Sequence, residues 1–437
     1  MLTVACAARV PSHREAGEES APAPNSHKAL GQAFLNEAFK TYQFVTDPDV
    51  TGPVQRTGRR LVEGLGEDPS AFHFFVVEEP SLNAFAVPGG YIFVFTGLLT
   101  KLDDEDELAG VLAHELGHVQ HNHFFQDDSK MQAINLASIA ALLLSKGNPA
   151  AFAFIQGAGY NLQLGYSREH EAEADASAVG YLRKAGYDPN GLVRFFQALE
   201  FYERFNNPAV PSYFMTHPGV SERIRVVKAM IGEEEHPGHA EQPSLEWDRL
   251  RASLAIPIET AAPLSSGERY LRAVARLKQN RIAEAIDDLR AVLAMEPHHA
   301  RARADLGLAL LKTRAFADAE TAARQSLADD PNQALPSIVL GTLAQDAGRH
   351  DEAITHFKTA LALEPRDPMI HFRLAQSFAA VGDRALETYH MGWYFRLNLE
   401  PKAAWVQLKR VAMDTQADPE LRRQAQQDLA EIRREGV

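Results

Sequence analysis

The feature that most constrains this chain is a repeat of 34 residues in its C-terminal part. Pro297, Pro331 and Pro365 recur at that interval, and each of them closes a segment with helical periodicity. Small or apolar residues stand where two paired helices must approach each other, and in the third unit these are Leu340, Gly341, Gly348, Ala353, Phe357 and Ala360. A single unit of this kind cannot bury its apolar face alone. The repeat therefore predicts an all-α solenoid of stacked helix pairs.

This pattern resembles the tetratricopeptide (TPR) repeat. Leu306, Gly307 and Ala319 repeat the small-residue positions in the second unit, and a degenerate fourth unit begins at Pro368. The resemblance implies a TPR domain at residues 264–437, whose concave surface recruits proteins. A helical packing domain without a ligand is the alternative. Residues 236–263 are rich in proline and poor in large apolar side chains, so they are interpreted as a linker.

The N-terminal part, at residues 28–235, mixes helical and strand-like patterns. Residues 72–77 and 91–96 are aromatic and β-branched runs, which predict strands, and residues 83–90 end in a Pro-Gly-Gly turn signal. The five acidic residues at 103–107 open a predicted helix, where negative charge complements the helix dipole. We therefore expect an α+β domain that is mostly helical and carries a small sheet.

Charge and cysteine content exclude several classes of function. The formal net charge of −14 leaves no basic excess for binding nucleic acid. A single cysteine excludes an intramolecular disulfide framework and a cysteine-rich zinc module. No run reaches the roughly 18–20 apolar residues that span a bilayer. The longest candidate, residues 131–144, contains polar interruptions and is interpreted as a buried or interfacial helix.

The N-terminal tail, at residues 1–27, contains that single cysteine, Cys6. The preceding Val-Ala resembles the end of a bacterial lipoprotein signal, although Thr3 stands where leucine is expected. The interpretation is a lipoprotein signal remnant that allows lipid anchoring through Cys6; a disordered tail is the alternative.

The chemistry centres on a His-Glu-x-x-His motif at residues 114–118. On a helix, His114 and His118 lie within about 40° of each other, so both imidazoles can hold one zinc ion. Glu115 stands beside them and can take a proton from water. His121 lies about 10 Å from His114 along the helix axis, and an extended helix directs His123 to the opposite side. We interpret both as surface or packing residues.

A catalytic zinc ion needs a third protein ligand, and the acidic segment at residues 167–175 offers candidates. Glu171 and Asp175 lie one helical turn apart, so Glu171 could complete the site while Asp175 orients a ligating histidine. Glu169, His170 and Glu173 are competing ligands on the same segment.

Three ordered motifs resemble a known family. They are Asn-Ala-Phe-Ala-Val-Pro-Gly-Gly-Tyr-Ile at residues 83–92, His-Glu-Leu-Gly-His at 114–118, and Glu-x-x-Ala-Asp at 171–175. Together they resemble the zinc metallopeptidases related to the CAAX prenyl proteases and HtpX, and a TPR array behind such a domain resembles their soluble periplasmic, BepA-like branch. The resemblance implies a gluzincin site in which His114, His118 and Glu171 bind one Zn²⁺ ion. Glu115 would then act as general base and Asp175 would support a ligand.

The same resemblance implies a part for His217, in Thr-His-Pro, which would approach the metal and either restrain the enzyme or steady the oxyanion. Residues 84–87 would form an edge strand on which an extended peptide pairs. The expected function is a zinc metalloendopeptidase acting on misfolded or unassembled envelope proteins in the periplasm of a Gram-negative bacterium. Its TPR repeats would recruit clients or the outer-membrane assembly machinery. Two alternatives are a TPR scaffold or chaperone with a latched or silent protease domain, and a metallohydrolase acting on other bonds.

Overall fold

The computed structural model describes residues 24–123, 166–205, 213, 217–232, 244–254, 264–398 and 400–434. Within these residues an α+β domain precedes a stack of paired helices, which confirms the predicted fold class. Residues 1–23 of the tail predicted at residues 1–27, including Cys6, and the predicted helix at 131–144 lie outside the described residues. Among the helices of the described ranges, none has both the length and the apolar character that a membrane span requires.

A three-stranded sheet lies within the first domain. Its strands are β1 (His73–Val77), β2 (Ala84–Val87) and β3 (Tyr91–Phe95), in the order β1-β3-β2. β3 pairs parallel with β1 and antiparallel with β2, so β2 is an edge strand of this sheet. The β2–β3 turn holds Gly89 and Gly90 at φ 92° and 82°, a region that glycine enters without steric cost. The strands thus match the sequence prediction to within one residue.

Helices pack on both faces of the sheet. α1 (Pro24–Thr41) covers the aromatic face, where Phe34 contacts Phe85 and Phe93 edge to face. The opposite face packs against the main helical core. The helices of this core are α2 (Pro48–Leu65), the short α3 (Thr96–Leu99), α4 (Glu105–Gln120), α5 (Arg168–Ala185), α6 (Asn190–Phe205) and α7 (Val220–Ile231).

The segment predicted as a linker contains a helix, α8 (Leu245–Ser253). Ser244 caps its N-terminus by accepting a hydrogen bond from the Trp247 backbone N–H, and Trp247 and Leu250 are fully buried in the core of the first domain. The proline content of this segment predicted a linker. The structure shows that a short amphipathic helix within it carries enough apolar surface to pack on the first domain.

α8 also joins the two halves of the molecule through a buried arginine. Arg249 pairs with Asp49 of α2 at 3.0 Å and with Asp305 of the repeat region at 2.6 Å. The Tyr270 hydroxyl hydrogen-bonds to the same Asp305 carboxylate at 2.8 Å. Since an unpaired buried charge is costly, this network favours a fixed contact between the halves.

The repeat region consists of antiparallel helix pairs that extend beyond the four predicted units. Its helices are α9 (Ser266–Lys278), α10 (Ile282–Met295), α11 (Ala300–Lys312), α12 (Phe316–Asp329), α13 (Ala334–Asp346), α14 (His350–Leu363), α15 (Pro368–Val381), α16 (Arg384–Leu397), α17 (Pro401–Met413) and α18 (Pro419–Arg434). Phe357 is fully buried against Gly341, where an added Cβ would lie 2.7 Å from the phenyl ring. The small residue therefore allows α13 and α14 to pack closely, as the repeat pattern predicted.

Candidate metal centre

α4 brings the His-Glu-x-x-His motif into the core. Asp104 caps the helix by accepting a hydrogen bond from the Glu107 backbone N–H at 2.9 Å. The acidic side chains of the first turn complement the helix dipole, and Asp106 and Glu107 are buried rather than solvated. His114, Glu115 and His118 are each fully buried. Buried polar groups of this kind must find partners inside the protein.

α5 crosses α4 at close range and supplies carboxylates to the same region. An added Cβ on Gly117 would lie 2.9 Å from the Cα atom of Ala174, so only glycine allows this approach. Ser167 caps α5, and Glu171 and Asp175 face α4 with 1% of their surface exposed. The competitors Glu169 and Glu173 are exposed instead. The helix crossing therefore selects Glu171 and Asp175 from the acidic segment.

Four ligand atoms converge on one point. His114 Nε2 lies 3.0 Å from His118 Nε2, and Glu171 lies 3.5 Å from each of these nitrogens. His217 Nδ1 lies 3.2 Å from His114 Nε2 and 3.0 Å from Glu171 Oε1. Ligands bound tetrahedrally to zinc at 2.0–2.1 Å are separated by about 3.3 Å. The donor set of three imidazoles and one carboxylate therefore fits one zinc ion.

His217 reaches the cluster from the segment before α7. Its ring stacks on Tyr213 with a centroid distance of 4.5 Å, and its backbone N–H donates to the Tyr213 carbonyl. It is fully buried. The family resemblance implied that His217 approaches the metal, and the structure brings its Nδ1 atom close to the ligand atoms of His114 and Glu171.

Asp175 lies behind His114, at the nitrogen that faces away from the cluster. His114 Nδ1 is 2.9 Å from Asp175 Oδ1, which directs Nε2 toward the other ligand atoms. Arg223 of α7 binds the same carboxylate through Nη2 at 2.7 Å and contacts Glu171 at 2.5 Å. The Arg223 guanidinium also lies over the Phe196 ring at 4.3 Å. A single cation thus balances both buried carboxylates.

The charges around the cluster shift its titrating groups. Burial raises the pKa of Glu171, but His217 and Arg223 outweigh it and hold that pKa well below its ordinary value. Burial and Arg223 lower the pKa of His114, whereas hydrogen bonds with Asp175 and Glu171 raise it to a net value of about 9. In the absence of a metal ion, a proton therefore occupies this ligand, and metal binding would release it.

Glu115 lies between the metal-ligand cluster and the sheet edge. Its Oε2 accepts a hydrogen bond from the Ala86 backbone N–H at 3.0 Å, which fixes the carboxylate beside β2. Oε1 makes no hydrogen bond within the described residues and lies 3.5 Å from His217 Nε2. Burial raises the pKa of Glu115, so its carboxylate has a stronger affinity for a proton than an exposed one.

The structure corrects the prediction for His123. α4 ends at Gln120, and Asn122 at φ 51° turns the chain back, so His123 does not continue the helix. Its Nδ1 lies 2.9 Å from His118 Nδ1, against the cluster rather than on the opposite side. His121 contacts Ser177 Oγ at 2.7 Å, outside the cluster.

Two further neighbours of the cluster were not found from the sequence. Tyr166 stacks on His118 with a centroid distance of 3.7 Å, and Arg223 carries the charge balance described above. No local spacing marks either residue, because both are far from the motif along the chain.

Comparison with known families divides the chain in the same way as the structure. Residues 48–231 match peptidase family M48, residues 270–334 match the tetratricopeptide repeat, and residues 346–382 match a TPR repeat. An M48 peptidase domain is therefore followed by TPR repeats, as the motifs indicated.

The chain is similar to several curated proteases over about half of its length or somewhat less. The β-barrel assembly-enhancing protease of Escherichia coli (strain K12) is 27% identical over 203 residues, which cover 45% of this chain and 42% of the relative. A Vibrio cholerae relative named for the same activity is 30% identical, with 51% and 47% covered. The mitochondrial metalloendopeptidase OMA1 of Schizosaccharomyces pombe is 29% identical, with 41% and 52% covered. The chain spans about half the length of the curated relatives it matches.

The chain also has matches among solved structures. A MamA structure is 20% identical, covers 35% of this chain and 87% of its own, and has a TM-score of 0.28. A thermophilic TPR protein of Thermus thermophilus is 19% identical with the same TM-score, and covers 43% and 92%.

Proposed function

We propose that this chain, in which an M48 peptidase domain precedes TPR repeats, is a zinc-dependent metalloendopeptidase. The observation that carries the proposal is the convergence of His114, His118 and Glu171 beside the buried carboxylate of Glu115. Two imidazoles and one carboxylate are the ligand set of a catalytic rather than a structural zinc ion. Glu115 as general base and Asp175 as the residue that orients His114 complete the proposed roles.

The chemistry divides between zinc and the chain. Bound zinc would polarise the scissile carbonyl and lower the pKa of a water molecule. Glu115 takes the proton of the attacking water on Oε1 and returns it to the leaving amine. The Ala86 backbone N–H holds the other carboxylate oxygen, so the base keeps its position as it gains and loses the proton.

The sheet edge supports a peptide substrate rather than a small molecule. Phe95 donates its backbone N–H to the Asn83 carbonyl, so Phe85 and Val87 pair with β3 while Ala84 and Ala86 direct their backbone groups away from it. Because the Ala86 N–H is bound to Glu115, an extended peptide added along this edge would pair with the backbone groups of Ala84 and the Ala86 carbonyl, and would lie beside Glu115. Selection of the cleavage site would then depend more on backbone than on side chains.

A base substitution tests this function directly. Glu115→Gln is expected to keep one zinc ion per chain and to lower casein hydrolysis at least 100-fold, because the amide cannot take up the proton. Glu169→Gln, which changes an exposed carboxylate of α5, serves as the matched control and should hydrolyse casein like the wild type. Undiminished hydrolysis by Glu115→Gln would show that this residue is not the base.

The position of His217 favours a second candidate, a latched protease that serves as a TPR scaffold or chaperone until it is opened. With His217 Nδ1 beside Glu171 and His114, the site has four protein ligands and leaves no position for water or substrate. His217→Ala is then expected to raise casein hydrolysis severalfold at unchanged zinc content. A fall in hydrolysis would instead indicate that His217 assists the reaction, for example by steadying the oxyanion.

The names of the relatives support a proposal for the clients and the location. Their names describe β-barrel assembly-enhancing proteases, so we propose misfolded or unassembled envelope proteins as substrates and the periplasm as the location. The TPR repeats would recruit these clients or the outer-membrane assembly machinery.

A further inference from the structure

His123 is a buried imidazole that the proposed reaction does not use. It follows the last turn of α4, and the positive φ of Asn122 directs it back toward His118. The two Nδ1 atoms lie 2.9 Å apart, which is a hydrogen-bond distance. On its other side, His123 Nε2 lies 3.1 Å from Glu173 Oε2. The three side chains therefore form a continuous chain from the metal centre toward the surface.

The directions of these hydrogen bonds follow from the position of the metal ligands. His118 directs Nε2 at the cluster, 3.0 Å from His114 Nε2, so this nitrogen must offer a lone pair to a metal ion. A neutral imidazole then carries its proton on Nδ1, which can only donate. His123 Nδ1 must accept that hydrogen bond and carry its own proton on Nε2, which donates to Glu173.

We propose that His123 and Glu173 are positioning residues for the zinc ligand His118. The proposal rests on the proposed function, since it requires His118 to bind the metal. Asp175 holds the outer nitrogen of His114 directly at 2.9 Å, whereas His118 reaches its carboxylate through a second imidazole. In both ligands the outer hydrogen bond fixes the ring and increases the basicity of the ligating nitrogen.

Aromatic packing holds in place the hydrogen-bonded chain of His118, His123 and Glu173, which we call the relay. The Tyr166 ring stacks on His118 at 3.7 Å with an interplanar angle of 18°, and the His170 ring stacks on His123 at 4.4 Å with an angle of 14°. Both imidazoles are buried, while the Glu173 side chain is 54% exposed. His123 thus has the stronger effect on His118, and Glu173 acts at the outer end.

The same region offers an alternative, since ligand atoms of His121, His123 and Glu173 lie within 4.8 Å of one another and could hold a second metal ion. Two observations favour the relay. The rings of His121 and His123 are nearly parallel, at 14° and 5.3 Å, and stacked imidazoles cannot both have one ion in their ring plane. The hydrogen bond from His118 also leaves the proton of His123 on Nε2, the nitrogen that such an ion would need.

Zinc affinity of the full-length protein tests the relay. Zinc stoichiometry and affinity are measured by competition with a chelator for the wild type, His123→Phe, His123→Gln, His121→Phe and Glu173→Leu, with circular dichroism to establish folding. Loss of such an outer partner lowers metal affinity by about 10–100-fold, and this is expected for His123→Phe. His123→Gln should recover most of the loss, because its side-chain oxygen can accept the His118 hydrogen bond. His121→Phe should bind zinc like the wild type.

Each outcome decides between the interpretations. Wild-type affinity in His123→Phe would overturn the relay and leave the zinc site intact, whereas no zinc in the wild type would overturn the proposed function itself. Two zinc ions in the wild type and one in both His121→Phe and His123→Phe would assign a second metal site instead. If His123→Phe does not fold, Glu173→Leu decides: severalfold weaker binding supports the relay, and unchanged binding refutes it.

Discussion

The two halves of this molecule bury charge in different ways. In the repeat region, Asp288 is buried and pairs with Arg272 and Arg276, which lie within 16 residues of it along the chain. In the M48 domain, Arg223 contacts His114, which is 109 residues away in sequence, and Glu171 contacts His217, which is 46 residues away. The charge pairs of Asp288 are thus local in sequence, whereas the metal centre gathers imidazoles and carboxylates from distant segments around one point that fits a metal ion. We infer that the repeats are stable on their own and that the protease core depends on its metal.

The largest expected effect is in the repeat region. Phe357→Ala removes a fully buried ring from the α13–α14 contact and should lower the free energy of unfolding of this region by about 4 kcal/mol. Urea denaturation measures the loss, and hydrolysis of a short peptide should be unchanged. Phe316→Ala is the matched control, because that ring is 45% exposed and its loss should cost less than about 1 kcal/mol. Loss of peptide hydrolysis in Phe357→Ala would show that the halves do not behave independently.

Zinc removal should destabilise the first domain rather than the repeat region. At free zinc 100-fold above its dissociation constant, binding stabilises the folded protein by about 2.7 kcal/mol. Chelation should therefore reduce amide-exchange protection in α4 and α5 by about 100-fold, as measured by hydrogen-exchange mass spectrometry, and leave α11 to α14 unchanged. Equal loss of protection in both halves would mean that the Arg249 network couples them into one folding unit.

The smallest expected effect is on zinc affinity, and it is tested by making the same substitution in the two regions. Asp175→Asn keeps an acceptor for His114 but loses its charge, and should weaken zinc binding about tenfold, or about 1.4 kcal/mol. Asp288→Asn makes the same change at a buried carboxylate of the repeats and should leave zinc affinity unchanged. Competition with a chelator measures both variants. Equal affinities for Asp175→Asn and the wild type would refute the role proposed for Asp175.

The sequence predicted the structural features that depend on the spacing of residues along one helix or one repeat. Helical periodicity placed His114 beside His118 and Glu171 beside Asp175, and the 34-residue period predicted the helix pairs. The predicted direction of the His123 side chain was wrong, because the prediction extended α4 by three residues and did not include the turn at Asn122. Asparagine between two histidines was the available signal, since asparagine readily adopts positive φ. Nothing local marked Arg223, whose partners are defined only by the tertiary fold.

The helix within the predicted linker was missed for a related reason. Ser244 followed by Trp247 and Leu250 is a short capped helix with one apolar face, and the surrounding prolines concealed it. Its stability comes from docking on α2 and the repeats, which composition does not report. Spacing within one helix was thus readable from the sequence, whereas contacts between distant segments were not.

The proposed zinc centre requires two helices that are distant in sequence, α4 and α5, to bind one zinc ion through His114, His118 and Glu171. X-ray absorption spectroscopy of the zinc-loaded, full-length protein, combined with metal analysis, tests it most directly. We expect one zinc ion per chain, with imidazole nitrogen and carboxylate oxygen ligands at about 2.0–2.2 Å. A chain that binds no zinc, or binds it with fewer than two imidazoles, would contradict the claim.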